Sequence, residues 1–206
     1  MISIGIGGNI GSGKTTVAKE LFRLFRKDKI KVRLIDADSL AWKIYKRVQK
    51  KGERVNVYDK IVKTFGTEIL NHNKEIDRKK LGMVVFDNKQ SLQNLNKIVH
   101  PALIKHINNE IKKADAEVKI LDAALLFFWG KKIPLTYRVL VSSSDTNKIK
   151  RMAIRGYNSA EVKMRLKNQL KESAMDALAD FVVENNGTLK NLKNRIYLLY
   201  QIIIEN

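Results

Sequence analysis

The sequence predicts an α/β fold, a three-layer α/β/α sandwich built on a five-stranded parallel sheet. Short apolar runs alternate along the 206 residues with stretches of helical periodicity, which is the pattern of strands joined by crossover helices. The first apolar run also leads directly into a glycine-rich turn and an amphipathic segment, an arrangement typical of parallel sheets. Neither a linker nor a fixed-period repeat divides the chain, so we expect a single domain over residues 1–206.

The spacing of apolar residues indicates the first two strands and their helices. Ile2–Ile6 is a short apolar run that predicts a buried strand. Apolar residues then recur at every third or fourth position between Gly13 and Arg26, which predicts a helix. Lys31–Asp36 predicts the second strand, and Ser39–Lys51 predicts the helix that follows it.

A long, mainly helical stretch is expected from Tyr58 to Lys113. Within it, Asp77 is a predicted N-cap, because a carboxylate at that position accepts hydrogen bonds from the first N–H groups of a helix. Pro101 is expected in the first turn of a helix that begins after His100, where the missing proline N–H has no partner to lose.

The C-terminal part of the chain returns to the alternation of strands and helices. Val118–Leu121 and Arg138–Ser142 predict the third and fourth strands. Asp145–Arg155 and Ala160–Lys171 predict two helices around a Gly-Tyr-Asn break, and Asp180–Glu184 predicts the last strand. A final helix is indicated by an apolar stripe made of Leu189, Leu192, Ile196, Leu199 and Ile203.

The chain is strongly basic, with 40 Lys and Arg against 21 Asp and Glu and a formal net charge of +19. Such an imbalance attracts nucleic acids or phosphorylated small molecules. Lysine outnumbers arginine 29 to 11, although arginine makes the better bidentate phosphate and base contacts, and the charges run along the whole chain. A nucleic acid partner is therefore disfavoured, and a solvated surface or a phosphate-rich small ligand is the better interpretation.

Several kinds of site are excluded or disfavoured by residue type. The absence of cysteine excludes a disulfide scaffold, a thiolate metal site and a cysteine nucleophile. The three histidines lie far apart in sequence, which disfavours a histidine zinc site. The apolar runs are far shorter than the ~20 residues of a membrane span, and no basic region precedes the N-terminal apolar stretch, so we expect a cytoplasmic protein without membrane contact.

A phosphate-binding motif, G-x-x-x-x-G-K-[ST], is matched at every fixed position by Gly8–Thr15. Glycines let successive backbone N–H groups point at a phosphate, and the following helix adds the positive end of its dipole. Lys14 is expected to reach the β- and γ-phosphates of a nucleoside triphosphate, and the Thr15 hydroxyl to bind Mg²⁺. The expected ATP-binding residues of this phosphate loop are Gly8, Asn9, Ile10, Gly11, Ser12, Gly13, Lys14, Thr15 and Thr16.

The motif alone does not separate kinases from GTPases and motor ATPases. The chain lacks the guanine-reading Asn/Thr-Lys-x-Asp sequence of a GTPase, and helicase-type ATPases are normally larger. Small size, one phosphate loop and a helical insertion favour a P-loop kinase fold that covers its substrates with a lid.

Two carboxylates, Asp36 and Asp38, follow the second predicted strand. In a parallel sheet the carboxyl ends of the strands line the ligand crevice. Asp36 is the candidate base that accepts the proton of an attacking hydroxyl and orients it toward the γ-phosphate. Asp38 is expected to cap the helix that begins near Ser39. The alternative is that both carboxylates are only caps.

Other polar residues have a functional and a structural interpretation. Asp122 ends the third strand, where it would hold Mg²⁺ through water together with Thr15, or hydrogen bond to nearby backbone. Arg151 and Arg155 share one helix face, either over the phosphates, where they would neutralise charge during transfer, or in solvent. His100 is an acid–base candidate for which packing at a helix entry is the favoured alternative.

The ordered set of motifs resembles the dephospho-coenzyme A kinases over nearly the whole chain. The phosphate loop is common to many families, whereas the ordered set is specific. The segments that carry the resemblance are Gly8–Thr16, Ile35–Asp38, Ile76–Leu81 with Val85 and Phe86, His100 with Pro101, Asp122–Phe127, Arg151 with Arg155, and Ala179–Val183 leading to Asn185–Gly187.

The resemblance implies transfer of the ATP γ-phosphate to the ribose 3′-hydroxyl of dephospho-coenzyme A, which gives coenzyme A and ADP in the last step of coenzyme A synthesis. It implies that ATP and Mg²⁺ are used and that Asp36 is the base. It further implies a helical acceptor-binding insert at about 39–113, with Arg78 and His100 as acceptor contacts.

The resemblance also implies a lid at about 145–172, in which Arg151 and Arg155 embrace the triphosphate and Arg151 takes part in catalysis. The turn Asn185–Gly187 would lie near the adenine of ATP, with Asn186 and Gly187 as its ATP-binding residues. The partners that the resemblance implies are the small-molecule substrates ATP and dephospho-coenzyme A, and a nucleic acid is not expected.

Two positions depart from the family pattern. The segment after the third strand usually reads Pro-Leu-Leu-Phe-Glu, whereas Ala124–Phe128 here lacks both the proline and the carboxylate. The lid usually reads Arg-Asp, whereas Arg155 precedes Gly156. The altered Phe128 segment keeps open a nucleoside or nucleotide kinase with another acceptor. A nucleic-acid-binding ATPase is a further alternative that the positive charge alone motivates.

Overall fold

The computed structural model describes residues 1–46, 57–86, 88–113 and 115–205. The chain divides into two compact units. The first consists of Met1–Asp36 and Glu110–Asn206, and it contains the sheet. The second, Ala37–Asn109, is mainly helical.

Five parallel strands form one sheet within the described residues. They are β1 (Ile2–Gly7), β2 (Val32–Asp36), β3 (Val118–Asp122), β4 (Tyr137–Ser142) and β5 (Phe181–Glu184). Their spatial order is β2-β3-β1-β4-β5, and every neighbouring pair is parallel. The predicted α/β class with a five-stranded parallel sheet is therefore confirmed. β1 lies at the centre, so the loop that follows it opens at the middle of the carboxyl edge.

The helices occupy most of the connections between strands. In chain order they are α1 (Lys14–Lys27), α2 (Ala37–Ile44), α3 (Val57–Phe65), α4 (Arg78–Phe86), α5 (Lys89–Lys112), α6 (Leu126–Trp129), α7 (Asp145–Ile154), α8 (Ser159–Asn168), α9 (Glu172–Asp176) and α10 (Leu189–Glu205), with one 3₁₀ turn at Gly130–Lys132. Within the described ranges, no helix combines the length and the apolar character needed to span a bilayer.

The two faces of β1 carry different residues because side chains alternate along a strand. Ile4 and Ile6 are completely buried in a cluster with residues of α1 and α10. Gly5 and Gly7 face the other way, where an added Cβ would lie 2.8 Å from Leu126 and 2.5 Å from Phe127. Helices therefore cover both faces of the sheet, and glycine is required on the α6 side because aromatic and leucine side chains lie directly against the backbone.

Helix α10 is held against α1 by a buried tyrosine. The ring of Tyr200 contacts that of Phe25 edge to face, with centroids 4.9 Å apart. Its hydroxyl donates a hydrogen bond to Asp28, the residue that ends α1. Burial, followed by this hydrogen bond, raises the pKa of Tyr200 to about 12. The contact thus combines aromatic packing with a hydrogen bond to a carboxylate.

The second unit is described by itself. Its buried apolar residues come from all of its helices and from the segment between α3 and α4, and Tyr58 is buried with its hydroxyl bound to the Lys74 carbonyl at 2.6 Å. Asp77 caps α4, as predicted: its Oδ1 accepts hydrogen bonds from the backbone N–H groups of Lys79 (2.8 Å) and Lys80 (3.2 Å). These bonds lower the pKa of Asp77.

Two expectations about helix starts in this unit were wrong. α5 does not begin after His100 but at Lys89, where Asn88 Oδ1 accepts the N–H groups of Gln90 and Ser91 at 2.9 and 3.1 Å. Pro101 lies inside this helix. The asparagine cap and the apolar residues before Pro101 outweigh the loss of one helical hydrogen bond at the proline.

The other wrong start concerns the helix after β2. α2 begins at Ala37, immediately after the strand, so Asp38 is inside the first turn and is not a cap for a helix starting near Ser39. A carboxylate in the first turn still interacts favourably with the helix dipole. The helix ends at Ile44, and positions 47–51 of the predicted helix lie outside the described residues.

Replacing Tyr200 by Phe should change how stability depends on pH. The folded-state pKa lies above the usual value of 10.0, so unfolding of the wild-type protein allows the phenol to ionise, and stability falls as pH rises from about 10 through 12. Tyr200→Phe lacks this proton, so its free energy of unfolding should fall less over that interval. Near neutral pH it should be about 1 kcal/mol less stable, because a hydrogen bond is lost.

Urea unfolding measured between about pH 8 and pH 12 tests this expectation. Tyr197→Phe is the matched control, because Tyr197 is 50% exposed on the same helix and this variant keeps the hydrogen bond from Tyr200 to Asp28, so most of the wild-type pH dependence should remain. Equal losses of stability above pH 10 in wild type and Tyr200→Phe would contradict the assignment.

Candidate active site

The phosphate loop leaves β1 at the carboxyl edge of the sheet and ends where α1 begins. Gly11 and Gly13 have φ values of +74° and +101°, a region that side chains with a Cβ rarely adopt. An added Cβ would also lie 2.6 Å from the Lys148 carbonyl oxygen at Gly11, and 2.3 Å from Asn185 Nδ2 at Gly13. Both the backbone conformation and the close neighbours therefore require glycine here.

Some N–H groups of the loop are satisfied by protein acceptors. Ile10 donates its N–H to Gln169 Oε1 at 3.0 Å, and Ser12 donates to the Asn9 carbonyl at 3.1 Å. Among the residues that the structure describes, no acceptor is found for the backbone N–H groups of Gly11, Gly13, Lys14 and Thr15. Consecutive unsatisfied N–H groups at a helix N-terminus form an anion-binding concavity.

Three of the selected residues lie at the same edge of the sheet. The Thr15 hydroxyl donates a hydrogen bond to Asp122 Oδ2 at 2.6 Å. Asp122 ends β3 and is the register partner of Asp36, which ends β2. The structure therefore brings together the threonine of the phosphate loop and the two strand-end carboxylates that sequence analysis selected.

The Thr15–Asp122 pair fits a hard cation such as Mg²⁺ in the type of its donor atoms, a hydroxyl and a carboxylate oxygen. In the described part of the chain, no group of three His, Asp or Glu residues could hold a metal ion by itself. Two protein oxygens are typical of Mg²⁺ sites in which phosphate oxygens and water complete the coordination.

A cavity of about 350 Å³ lies beside the phosphate loop. It is lined by predicted ATP-binding residues, by Asn185 and by apolar residues of α7 and α10. The lining residues that sequence analysis had selected are Gly11, Gly13, Lys14, Thr15, Thr16, Arg151, Arg155 and Gly187. Such a cavity next to the N–H groups of the loop has the position of a nucleotide site.

Arg151 is half-buried and bound to the phosphate loop itself. Its Nη1 donates to the carbonyls of Gly11 (3.2 Å) and Ser12 (3.4 Å) and to Ser143 Oγ (3.0 Å), and its Nη2 donates to the Asn185 carbonyl (2.7 Å). Burial lowers the pKa of Arg151, but an arginine stays charged near neutral pH. The guanidinium thus places a positive charge at the loop and links it to the end of β5.

Asn185 belongs to the turn expected near the adenine, but sequence analysis did not select it as an ATP-binding residue. It is buried, and its Nδ2 donates to the Ser12 carbonyl at 2.7 Å. Asn186, which was selected, uses Oδ1 to accept the N–H of Ser144 at 2.8 Å, and Gly187 lines the cavity. The Asn-Asn-Gly turn indicated a special position, but only the fold shows which amide faces the loop.

The predicted acceptor contacts lie in the second unit. Arg78 is the first residue of α4, and its guanidinium carbon is 3.4 Å from the centroid of the Trp42 ring, a cation–π contact. His100 is half-buried in the middle of α5. Both assignments to the acceptor stay predictions.

Comparison with known proteins gives a consistent family. The sequence model of the dephospho-CoA kinase family matches residues 2–191. A dephospho-CoA kinase of Bacillus cereus is 36% identical over 200 residues, which are 95% of this chain and 94% of that protein. The crystal structure of TT1252 from Thermus thermophilus is 30% identical, with a TM-score of 0.74 over 99% of this chain and 97% of that one.

The chain belongs to the dephospho-CoA kinase family. It is an ATP-dependent kinase that phosphorylates dephospho-CoA in coenzyme A biosynthesis, and members of this family use ATP with Mg²⁺. The function and the substrates expected from the resemblance are thereby confirmed. A shikimate kinase of Acinetobacter baumannii, 12% identical with a TM-score of 0.53 over 100% of this chain and 94% of that one, shares the P-loop kinase fold alone.

Replacing Gly13 by Ala should weaken ATP binding. The new Cβ would displace the Asn185 amide that lies 2.3 Å away, and it would strain a backbone with φ of +101°. Because the N–H groups of the loop would shift, we expect the Kd for ATP to rise by about tenfold or more, which corresponds to about 1.4 kcal/mol.

Gly130→Ala provides the matched control for this variant. Gly130 also has a positive φ, +54°, but no atom of the described residues lies within 4 Å of its added Cβ. This variant should lose stability from backbone strain while its ATP affinity stays within about twofold of wild type. Isothermal titration of ATP into both folded variants measures the difference, and equal affinities would contradict the proposed crowding at Gly13.

Proposed function

We propose that Asp36 is the general base of the dephospho-CoA kinase reaction. It accepts the proton of the ribose 3′-hydroxyl while that oxygen bonds to the γ-phosphorus of ATP, and the bond from this phosphorus to the β-phosphate bridging oxygen breaks. ADP leaves, and CoA carries the new phosphate. The observation that carries the proposal is the register of β2 on β3, which makes Asp36 the neighbour of Asp122, itself bound to Thr15.

We further propose that the phosphate loop holds the triphosphate during this step. The N–H groups of Gly11, Gly13, Lys14 and Thr15 would bind phosphate oxygens, since they have no protein acceptor in the described residues. The ammonium group of Lys14 would contact the β- and γ-phosphates in both ground and transition states. Thr15 and Asp122 would hold Mg²⁺, which when bound neutralises phosphate charge.

The residues around the 350 Å³ cavity would bind the remainder of ATP. Arg151 supports this proposal through its position, because its guanidinium is fixed to the loop carbonyls while its side chain lines the cavity. Arg155 ends α7 and lines the same cavity. Both arginines would belong to a lid at about 145–172. Gly187 would face the adenine, and Asn186 would shape the turn that carries Gly187.

The second unit would hold the acceptor, as the helical insert at about 39–113 predicts. Arg78 supports this proposal because a guanidinium can bind the diphosphate of dephospho-CoA bidentately. His100 is the second proposed acceptor contact. The same proposal includes a single domain over residues 1–206, with the insert at about 39–113 and the lid at about 145–172.

The cytoplasm is the proposed location, because ATP is an intracellular substrate. No nucleic acid is proposed as a partner, because the phosphate groups of ATP and dephospho-CoA already give the basic residues near the loop an anionic ligand. The net charge of +19 would raise the rate at which both substrates are captured.

Asp36→Asn should lower kcat by about 10²-fold or more, the usual effect of removing a positioned base, while the KM for ATP stays nearly unchanged. Asp38→Asn is the matched control, since Asp38 lies two residues further on in the first turn of α2, and it should keep kcat within a few-fold of wild type. Steady-state assays of ADP release with dephospho-CoA measure both variants. Wild-type turnover in Asp36→Asn would remove Asp36 from this role.

Lys14→Ala should raise the KM for ATP and lower kcat, each by about tenfold or more, because its charge meets the phosphates in both states. Lys19→Ala removes the same charge from an exposed position one turn further along α1 and should change neither constant. The same assay compares the two variants. If both behave alike, the effect of Lys14 is one of net charge and the assignment fails.

A further inference from the structure

A second cavity, of about 200 Å³, adjoins the start of the phosphate loop at Asn9. Among its lining residues are Asn9 of the loop, Phe127 and Phe128 of α6, and Gln169 and Met175. The two cavities have no lining residue in common, since the nucleotide cavity is lined by residues from Gly11 onward and by α7 and α10. The phosphate loop therefore adjoins two separate cavities.

The second cavity lies close to the reacting groups. The ring of Phe127 lies against β1, so that a Cβ added to Gly7 would be 2.5 Å from it, and Gly7 precedes the loop directly. Its wall begins at Ala124, two residues after Asp122, the register partner of Asp36. The cavity thus adjoins the start of the phosphate loop and the end of β3, whose neighbour in the sheet, β2, carries the proposed base.

The lining contains aromatic rings and two side-chain amides whose orientation is set by hydrogen bonds. Phe128 is 59% exposed, so its ring can contact a ligand, while Met175 is buried beneath the cavity. Gln169 uses Oε1 to accept the Ile10 N–H, and Asn9 uses Nδ2 to donate to the Leu170 carbonyl at 3.4 Å. The second polar atom of each amide, Nε2 of Gln169 and Oδ1 of Asn9, has no hydrogen-bond partner among the residues that the structure describes.

We infer that this cavity binds the adenine of the acceptor and that Phe128 is the residue on which the base stacks. Adenine presents ring nitrogens as acceptors and an amino group as donor, which match the remaining donor of Gln169 and acceptor of Asn9. In dephospho-CoA the base is attached two ring carbons from the 3′-hydroxyl. The pantetheine arm, by contrast, begins only beyond the 5′-diphosphate. A cavity next to the reacting groups therefore takes the base and not the arm.

Phe128 places an exposed aromatic face at the rim of the cavity. Stacking of a base on an aromatic side chain is tolerant of geometry and strengthens binding substantially. The inference rests on the proposed placement of the 3′-hydroxyl at Asp36.

Phe128→Ala should raise the KM for dephospho-CoA by about fivefold or more, the lower end of the usual effect of removing a stacking side chain, while the KM for ATP and kcat stay within about twofold. Phe128→Tyr keeps the ring and should keep the wild-type KM, whereas Phe128→Leu should behave like Phe128→Ala. Leu198→Ala is the control, because Leu198 is an equally exposed apolar residue, at 60%, on α10.

A second acceptor distinguishes the base from the arm. It retains adenosine and the diphosphate but has a methyl ester in place of the pantetheine arm, and its KM, or its Ki against dephospho-CoA, is measured in each variant. If the base occupies the cavity, Phe128→Ala weakens both acceptors by the same factor. Weakening of dephospho-CoA alone would assign the cavity to the arm and overturn the inference, as would unchanged KM values for both.

The assignment of Asp36 as the base is tested independently of the assignment of Phe128. Full turnover by Asp36→Asn would contradict the first, whatever KM the Phe128 variants show for the acceptor. Loss of folding is excluded by comparing the thermal unfolding of Phe128→Ala with that of Leu198→Ala, for which similar melting temperatures are expected.

Discussion

The phosphate loop can present N–H groups to an anion because other side chains satisfy the rest of its backbone. Arg151 and Asn185 bind its carbonyls, and Gln169 binds the N–H of Ile10. A loop with unsatisfied groups in every direction would be costly to order, since each buried unpaired group costs desolvation energy. The surrounding side chains therefore leave one set of donors open, and all of them belong to residues that line the 350 Å³ cavity.

The parallel sheet also fixes the relative positions of the residues at the carboxyl ends of its strands. Parallel register places Asp36 beside Asp122, and Asp122 beside Ile6 at the end of β1. Three strands from distant parts of the sequence thus reach the same level at the edge of the sheet. The Thr15 hydroxyl is bound to Asp122, which lies on the middle one of these strands. A rigid sheet edge determines these positions better than loops alone would, which is what a reaction with an in-line geometry requires.

Much of this arrangement could be predicted from local sequence. The strands were recognised to within one or two residues because each is a short apolar run between turn residues, and the phosphate loop has its own motif. Pro101 was misplaced because its local preference for a first turn is weaker than the cap at Asn88 and the continuity of α5. The contacts of Asn185 and Gln169 with the phosphate loop could not be recognised, since their partners lie more than 150 positions away in sequence.

The segment from α7 to the residues after α8 is attached to the phosphate loop at both of its ends. Arg151 binds the loop near one end, and Gln169 binds it near the other. Between them lies Gly156, with φ of +86° and no atom of the described residues near its missing side chain. A movement of this segment that keeps both contacts has to bend it near its centre, while the phosphate loop stays in place.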